Sequence, residues 1–587
     1  MNVILTTLNS QYVHTSLAVR SLRQAFLMKK AEAPMSLIVK EYTINDDWQK
    51  IASELFLLQP DLIFFSCYIW NMKEIAKIGN RLKQWLPSLP VLLGGPEVGY
   101  RAFEALAQYS WANGIFCGEG EESFPAFLQH WNQHQTFQDI PGLIHRQETK
   151  DKTLNSAIYV MEMETLPFPY TAEELQGAKH QILYYESSRG CPYSCQYCLS
   201  SVHQPLRFQR LERVFIELDR FISAGVQQVK FVDRTFNANK SRARNIWEYL
   251  IDKAPQTNFH FELAADLLEQ EDIELLRKAP KGLFQFEIGI QSTNPQTLAL
   301  VQRVTNFEKI STMVKQIRDL GTIHLHLDLI AGLPGETYME FSKSFNDVYD
   351  LGADMLQLGF LKVLPGTGVE KQARRFGIVY DPEPPYEVLQ THQISARDLL
   401  RLHHIEEVFE RYGNTGRYHY TIEGLVSFFP QPFLCFETLA QYYEEHHWLQ
   451  FGGKEATHWQ HLWCFIVDQV QNEKKRMWLL QRMKLDFFLK YADEVFPISL
   501  YHWEVSSEDK RRVLLGVDAR HARQFSASKP KYRAAYLGLS TQCILSPFQE
   551  TMDYTENKTL FGFVYDYPNS KTCIDWFEVK EGFQTGI

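Results

Sequence analysis

The sequence predicts an α/β protein built from successive domains: a doubly wound, flavodoxin-like parallel sheet, a partial (β/α)6 barrel, and a mostly helical region with a small sheet. Three observations carry this reading. Short apolar runs alternate with helical stretches from the first residue to about 370. The series is broken once, by a polar connector followed by the cysteine-rich stretch SSRGCPYSCQYCLSS. Beyond the proline-rich YDPEPPYEV the pattern becomes helical and aromatic. At 587 residues the chain is too long for one core. The expected boundaries are 1–145 for the first domain, 146–180 for a linker, 181–370 for the barrel and 371–587 for an accessory domain.

In the first domain the strands are VILTTL, SLIVKEYTI, DLIFFSCY, PVLLGG and GIFCGEGEE. Helices are expected over about 16–30, through SELFLL, KEIAKIGNRLKQWL and FEALAQY, and over 122–134. Crossovers of that length require parallel pairing, and ligands on such sheets sit at the carboxyl ends of the strands. The informative loops are therefore LNSQYVHTS, SCYIWN, GGPEVGY and GEGEESF. Gly94-Gly95 and Gly118-Glu119-Gly120 permit close backbone approach to a ligand. GEGEES lacks the G-x-G-x-x-G fingerprint and does not follow the first strand, so a nicotinamide site is not expected, and no Walker phosphate loop is present.

The connector HRQETKDKTLNSAIYV, with prolines at 167 and 169, reads as an interdomain crossing. The barrel strands are LYYESS, QVKFVD, FHFELAA, LFQFEIGIQS, IHLHLDLIAGLPGE and MLQLGFLKVLPGT. Their carboxyl ends should form the active face. FVDRTFN puts Asp233 and Arg234 there, EIGIQS puts Glu287, Gln291 and Ser292, and the turn of DLIAGLPGE puts Gly332 and Leu333. Taken one at a time, each could simply cap a helix or shape a turn.

Cys191, Cys195 and Cys198 have the spacing Cys-x-x-x-Cys-x-x-Cys directly after the first barrel strand. Three thiolates on one loop can hold three irons of a cubane cluster and leave the fourth iron open. The competing readings are three reduced core thiols or a zinc knuckle. Zinc wants a fourth ligand, for which His203 is the only near candidate. The other six cysteines are scattered, which suits a reduced, cytoplasmic protein. A net charge of −10 argues against a generic nucleic-acid binder. No membrane partner is expected, since no apolar stretch is long enough to span a bilayer, and the N-terminus lacks the basic start of a leader.

The segment CPYSCQYC, with Tyr197 before its last cysteine, resembles the radical S-adenosylmethionine (SAM) superfamily. The domain before it, with GGPEV and GEGE at its strand ends, resembles the cobalamin-binding domain of corrinoid-dependent radical SAM enzymes, in a subgroup with an extra C-terminal domain. The resemblance implies a 4Fe-4S cluster on Cys191, Cys195 and Cys198, whose open iron takes up SAM. An electron donor such as flavodoxin or ferredoxin would then drive release of a 5′-deoxyadenosyl radical. It implies SAM contacts from Tyr197, Asp233, Arg234, Glu287, Gln291, Ser292, Gly332 and Leu333. It implies cobalamin contacts from Asn9, Tyr12, His14, Ser66, Tyr68, Gly94, Gly95, Glu97, Gly118, Glu119 and Gly120. The expected reaction is methylation of a carbon or phosphorus centre in a small-molecule or peptide substrate. The first loop departs from the Asp-x-His-x-x-Gly pattern that supplies a lower cobalt ligand: there is no Asp two before His14, and Leu17 stands in the glycine slot. Rearrangement, cyclisation, methylthiolation or a non-catalytic corrinoid or iron-sulfur sensor are the alternatives. Methylthiolation would need three more cysteines in the first domain, which offers only Cys67 and Cys117.

In the C-terminal region, helical spacing recurs in SARDLLRLHHIEEVFERYGNT, CFETLAQYYEEHHWLQF, WCFIVDQV and RMWLLQRMKLDFFLKYADEVF. His403-His404 and His446-His447 are adjacent pairs and cannot share a helix face as metal ligands. From about 510, KRRVLLG, AAYLGLS, TLFGFVYDY and KTCIDWFEV read as short strands, and SKPKYRAAY as a solvated basic run.

Overall fold

The strands of the first domain are apolar on both sides, and each side acquires its own layer of helices. In the computed structural model, β1 (Asn2–Asn9), β2 (Ser36–Thr43), β3 (Leu62–Ser66), β4 (Val91–Gly94) and β5 (Gly114–Phe116) are parallel, in the order β2-β1-β3-β4-β5. This is the doubly wound order expected. A short β6 (Leu143–His145) adds antiparallel at the far edge. Along β3 the side chains alternate between two cores. Leu62 and Phe64 pack with Val3, Phe124 and Phe127, whereas Ile63 and Phe65 pack with Ile51, Leu55 and Ile78. Strand order reverses between β1 and β3, so a crevice opens at their carboxyl ends. Asn71 fixes that edge: its Nδ2 donates to Leu8 O (3.0 Å) and Ser66 O (3.1 Å), and its Oδ1 accepts from Tyr68 N (2.8 Å).

The structure describes residues 1–29, 35–137, 140–146, 160–178, 180–202, 205–449, 453–491, 494–498, 505–521, 531–537, 540–549, 559–565 and 573–579. His203, most of the connector and the first residues of the basic run SKPKYRAAY lie outside them. The chain divides into two compact units, Met1–Leu399 and Leu400–Ile587.

The barrel strand β7 (Ile182–Tyr185) leads into a two-stranded ribbon, β8 (Ser188–Arg189) paired with β9 (Arg207–Phe208). The remaining strands are β10 (Gln228–Phe231), β11 (Asn258–Leu263), β12 (Phe284–Gln291), β13 (His324–Ala331) and β14 (Met355–Phe360). All six are parallel, in the order β7-β10-β11-β12-β13-β14, as a partial (β/α)6 barrel requires. Alternation is clean in β12, where Phe284, Phe286, Ile288 and Ile290 are buried and Gln285, Glu287, Gly289 and Gln291 are half-buried. A hairpin of β15 (Val379–Tyr380) and β16 (Val388–Gln390) completes the first unit.

The second unit is built on the helix Glu473–Lys490, buried from Met477 to Phe488. Its Asp486 accepts from Tyr420 N (3.1 Å), Thr421 N (2.8 Å) and Thr421 Oγ1 (2.6 Å), capping the helix His419–Val426. The small sheet is antiparallel, with β17 (Lys531–Leu537), β18 (Thr559–Tyr565) and β19 (Cys573–Glu578) in that order. KRRVLLG is not a strand; it lies within the helix Ser507–His521. The reason is a start signal one turn upstream, where Ser506 Oγ accepts from Asp509 N (3.1 Å) and Ser506 N donates back to Asp509 Oδ2 (3.1 Å).

Candidate active site

The ribbon β8/β9 closes the base of the cysteine loop. Gly190 has φ +95, and a Cβ there would stand 2.8 Å from Pro205 O, so the ribbon can close only on glycine. The loop is clamped at its tip: Gln196 N donates to Val301 O and Gln196 O accepts from Val369 N, both at 2.9 Å. Cys191 and Cys195 are buried and Cys198 is half-buried. All three line one cavity of about 220 Å³. Among the described residues no group of three or more His, Cys, Asp or Glu converges to hold a single metal ion. Three cysteine side chains around one cavity suit three corners of a cubane cluster.

Around the cysteines, Cys191 Sγ lies 3.6 Å from Thr235 Oγ1. Arg303 ties this loop to β12: Nη1 donates to Cys195 Sγ (3.8 Å) and to Tyr197 OH (3.2 Å), and Nη2 donates to Gly289 O. Burial pushes the Cys195 thiol up, and Arg303 opposes it. Deeper in the barrel, Glu287 Oε2 meets Lys230 Nζ at 2.8 Å and His260 Nε2 at 3.0 Å. Burial alone would raise that carboxyl, but the two bases outweigh it and hold it well below the usual range. His326 Nε2 lies 3.1 Å from Asp328 Oδ1. Glu262 is lifted by burial to about 7, its nearest cation being Arg234 at 3.9 Å.

Of the residues expected to face SAM, Tyr197, Arg234, Glu287 and Gln291 line this cavity. The others support it from behind. Asp233 is 1% exposed and accepts from Ser187 N (2.8 Å), Ser187 Oγ (2.6 Å) and Ser188 Oγ (2.7 Å), tying the end of β10 to the start of the ribbon. Ser292 is buried against Glu336 and Ser344. Gly332 has φ +82 and packs under Val388, and Leu333 is fully buried.

A second cavity of about 710 Å³ opens where the strand ends of the first sheet face the barrel. Of the residues named for cobalamin, Asn9, His14, Ser66, Tyr68, Gly94, Gly95, Gly118, Glu119 and Gly120 line it. Gly95, at φ +102, leaves only 2.5 Å between a would-be Cβ and Cys67 O, so this wall is necessarily bare backbone. His14 Nδ1 lies 2.7 Å from Tyr184 OH, and burial together with Lys230 lowers its pKa, favouring the neutral ring. Two expected residues lie elsewhere. Tyr12 is 75% exposed. Glu97 is buried and engaged by Arg101 Nη2 (2.6 Å) and Tyr386 OH. A bare backbone wall, an aromatic floor of Phe64, Phe116 and Phe124, and a polar rim fit a large planar cofactor with amide edges.

Ion pairs bind the two walls of this cavity together. Glu119 accepts from Arg207 Nη1 (3.2 Å) and Met161 N (2.8 Å) and has Arg189 Nη1 at 3.2 Å. Arg189 also reaches Glu186 (2.9 Å) and Glu121. Arg189 and Arg207 are the paired residues of the ribbon, so the glycine turn 118–120 and the cysteine loop share one anchor.

Sequence reasoning missed Arg303, Thr235, Lys230, Glu262, Asp328 and Trp70. For the barrel residues a signal existed: Lys230, His260, Glu262, Glu287, His326 and Asp328 are polar residues at alternate positions of strands otherwise filled with apolar side chains. Trp70 stacks on Tyr68 at 4.4 Å, a contact within one expected loop.

Three families match this chain side by side: "B12 binding domain" over residues 4–128, "Radical SAM superfamily" over 185–348, and "Protein of unknown function (DUF4080)" over 374–559. Among curated proteins, the cobalamin-dependent radical SAM methyltransferase TokK of Streptomyces tokunonensis is 25% identical over 50% of this chain and 44% of its own length. The hopanoid C-2 methylase of Rhodopseudomonas palustris is 25% identical over 52% of this chain and 59% of its own. The chain thus spans about half the length of these relatives. Among solved structures, the cobalamin-dependent SAM radical enzyme OxsB with aqua-cobalamin and SAM bound superposes with a TM-score of 0.57 at 16% identity, over 82% of this chain and 79% of that one. The radical SAM methyltransferase TsrM of Kitasatospora setae, with cobalamin and a [4Fe-4S] cluster bound, gives 0.52 at 17%, over 66% and 78%. At such identities the superpositions show a shared fold. The chain therefore joins a B12-binding domain, a radical SAM domain and a domain of the DUF4080 family in one polypeptide.

Proposed function

We propose that this protein is a radical SAM enzyme that uses a 4Fe-4S cluster and cobalamin to methylate a carbon or phosphorus centre of a small-molecule or peptide substrate. One observation carries the reading: the cysteine-lined cavity and the strand-end cavity meet, with Arg234 and Glu262 lining both. When bound, the cluster supplies one electron to cleave SAM and the corrinoid supplies a transferable methyl group. The chain's own residues do the rest. Cys191, Cys195 and Cys198 would hold the cluster. Arg303, Tyr197, Gln291 and Glu287 face the space where the polar end of SAM would lie, with Arg303 as the buried cation for its carboxylate. The bare turns at Gly94-Gly95 and 118–120 would hold the corrinoid, and the aromatic floor keeps water from its edge. His14, neutral and tied to Tyr184, orients the first loop; the reading does not assign it a bond to cobalt. A flavodoxin or ferredoxin would serve as electron donor, in the cytoplasm. Among the described residues no helix is long and apolar enough to cross a membrane.

The test is anaerobic reconstitution followed by gel filtration. Iron, sulfide and cobalt should co-elute with the chain, and SAM plus reductant should release 5′-deoxyadenosine. Cobalamin that fails to bind at saturation removes the methyl-transfer reading. Retained cofactors without any SAM cleavage favour a sensor instead.

A further inference from the structure

The cysteine loop also reaches the protein surface. Pro192 and Ser194, which stand between its ligand positions, are exposed, and Gln196 is half-buried at the tip. The short helix Gly368–Gln372 rests on that tip: Val369 N donates to Gln196 O (2.9 Å), and Gln372 Nε2 donates to Gln196 Oε1 (3.0 Å). A Cβ at Gly368 would stand 1.8 Å from Gln196 Oε1, so the backbone of the helix itself lies against the loop. From this helix the chain runs on as KQARRF and presents Lys371, Arg374 and Arg375 to solvent. Among the described residues none of the three pairs with a carboxylate; Arg375 Nη1 donates only to the neutral amide of Gln372 (3.1 Å). The acid of the helix, Glu370, is turned back onto Gly366 N (2.6 Å). Exposed His392 lies against Gly377 and donates its N to Phe376 O (3.1 Å). In a chain of net charge −10, three permanent cations thus stand bare, one hydrogen bond away from the residue that follows Cys195.

We propose that Lys371, Arg374 and Arg375, beside the tip of the cysteine loop, form the docking face for an acidic ferredoxin that delivers the electron to the cluster. This rests on the proposed function, because it takes Cys191, Cys195 and Cys198 as the ligands of that cluster. The step balances as a bare electron transfer. The reduced carrier is oxidised by one electron and the cluster is reduced by one, with no bond made or broken and no proton moved. An iron-sulfur carrier suits this stoichiometry, since its own cluster exchanges single electrons, whereas flavin redox steps are commonly coupled to protons. Cations left unpaired by their own chain attract and orient an acidic protein at a distance, and lose their hold as salt rises. Val304, two residues after Gln302, is 78% exposed, and Val379 is 47% exposed, which gives the small apolar contact of a transient redox interface. Other readings fit worse. Arg277, Lys278 and Lys281 are exposed too, but they precede β12 at the amino ends of the barrel strands, the end opposite the cysteine loop. A single-stranded nucleic acid stacks on exposed rings, and Phe376, the ring under Arg375, is buried.

The test uses the full chain with its cluster reconstituted anaerobically, and two reductants: a reduced plant-type ferredoxin, and dithionite, which needs no docking face. Bleaching of the cluster's visible absorption and release of 5′-deoxyadenosine from SAM are both followed. At low ionic strength, the triple variant Lys371→Glu, Arg374→Glu, Arg375→Glu should slow ferredoxin-driven bleaching by about tenfold or more and leave dithionite-driven bleaching unchanged. Added salt should slow the ferredoxin reaction of the unaltered chain and have little effect on that of the variant. The charge-conserving set Lys371→Arg, Arg374→Lys, Arg375→Lys should keep the rate, as should the matched reversal Arg277→Glu, Lys278→Glu, Lys281→Glu at the far end of the barrel. The proposal falls if the first variant keeps the ferredoxin rate, or if the far-end reversal slows it as much. It falls equally if both reductants are slowed alike, since the patch then only supports the loop. Ferredoxin that fails to bleach a cluster which dithionite does bleach would also overturn it. Bleaching by ferredoxin that depends on the patch, without any release of 5′-deoxyadenosine, would count against the proposed function and leave the docking face standing.

Discussion

Glu336 closes the fifth strand-end turn with its carboxyl 1% exposed, Oε1 taken by Ser292 and Oε2 without a partner. Burial raises its pKa to about 8. The folded state therefore keeps a proton that the unfolded chain has released once pH passes about 4.5, so stability falls as pH rises from there through about 8. Glu336→Gln should remove that slope. At pH 8 it should stabilise the protein by about 1–3 kcal/mol, and at pH 5 it should be near neutral, as read by urea unfolding at both values. The thiols allow a second prediction. Cys67 is fully buried behind the Gly94-Gly95 turn, and burial pushes its pKa far up, as for a core residue. Cys67→Ala should leave iron and sulfide content unchanged at a cost of about 1–2 kcal/mol, whereas alanine at Cys191, Cys195 or Cys198 should abolish the cluster spectrum. Iron lost from the Cys67 variant would revive a second cluster and with it methylthiolation.

At the scale of elements, function sits on the turns. Gly95 has no room for a Cβ beside Cys67 O and holds a backbone conformation that essentially only glycine adopts, so Gly95→Ala should cost about 3 kcal/mol and weaken cobalamin binding, measured by titrating hydroxocobalamin. The long parallel strands and their loops were legible because alternation and crossover spacing are local properties of the chain. β6, of three residues, and the ribbon, of two residues a side, are too short to alternate visibly, yet the ribbon positions the cysteines. KRRVLLG has a strand-like composition, and only the capping box at Ser506 and Asp509 reveals a helix. Asp233 and Glu97 stand at strand ends as ligand residues would, and each is engaged by other groups of the chain. The hydroxyl of Tyr386 that occupies Glu97 lies 289 residues away, a pairing no periodicity announces. Arg303 was hidden for the same reason: it follows a turn with no pattern of its own and reaches the cysteine loop across 108 residues.

At the scale of the first unit, two parallel sheets act as one container. The loop after β1 runs onto β7, the edge strand of the barrel: Ile182 N donates to Val13 O (2.7 Å), and Thr15 Oγ1 donates to Ile182 O (2.9 Å). This pairing covers an edge that would otherwise be open. It also makes Tyr184, Lys230, Val232 and Arg234 walls of the same cavity as Asn9 and His14. A corrinoid bound there must therefore restrain both sheets. Hydroxocobalamin at about 100 times its Kd should stabilise the protein by about 2.7 kcal/mol. Hydrogen exchange should slow in the loops at 9–17, 66–70, 94–97 and 118–121 and also at 184–186 and 230–234. The ion pairs of Arg189 and Arg207 should transmit part of this to the cysteine loop, so Arg207→Gln should reduce the protection at 190–198 while sparing that at 66–70. Protection confined to the first sheet would mean that the corrinoid sees only half of the container, and that the two cavities do not work as a pair.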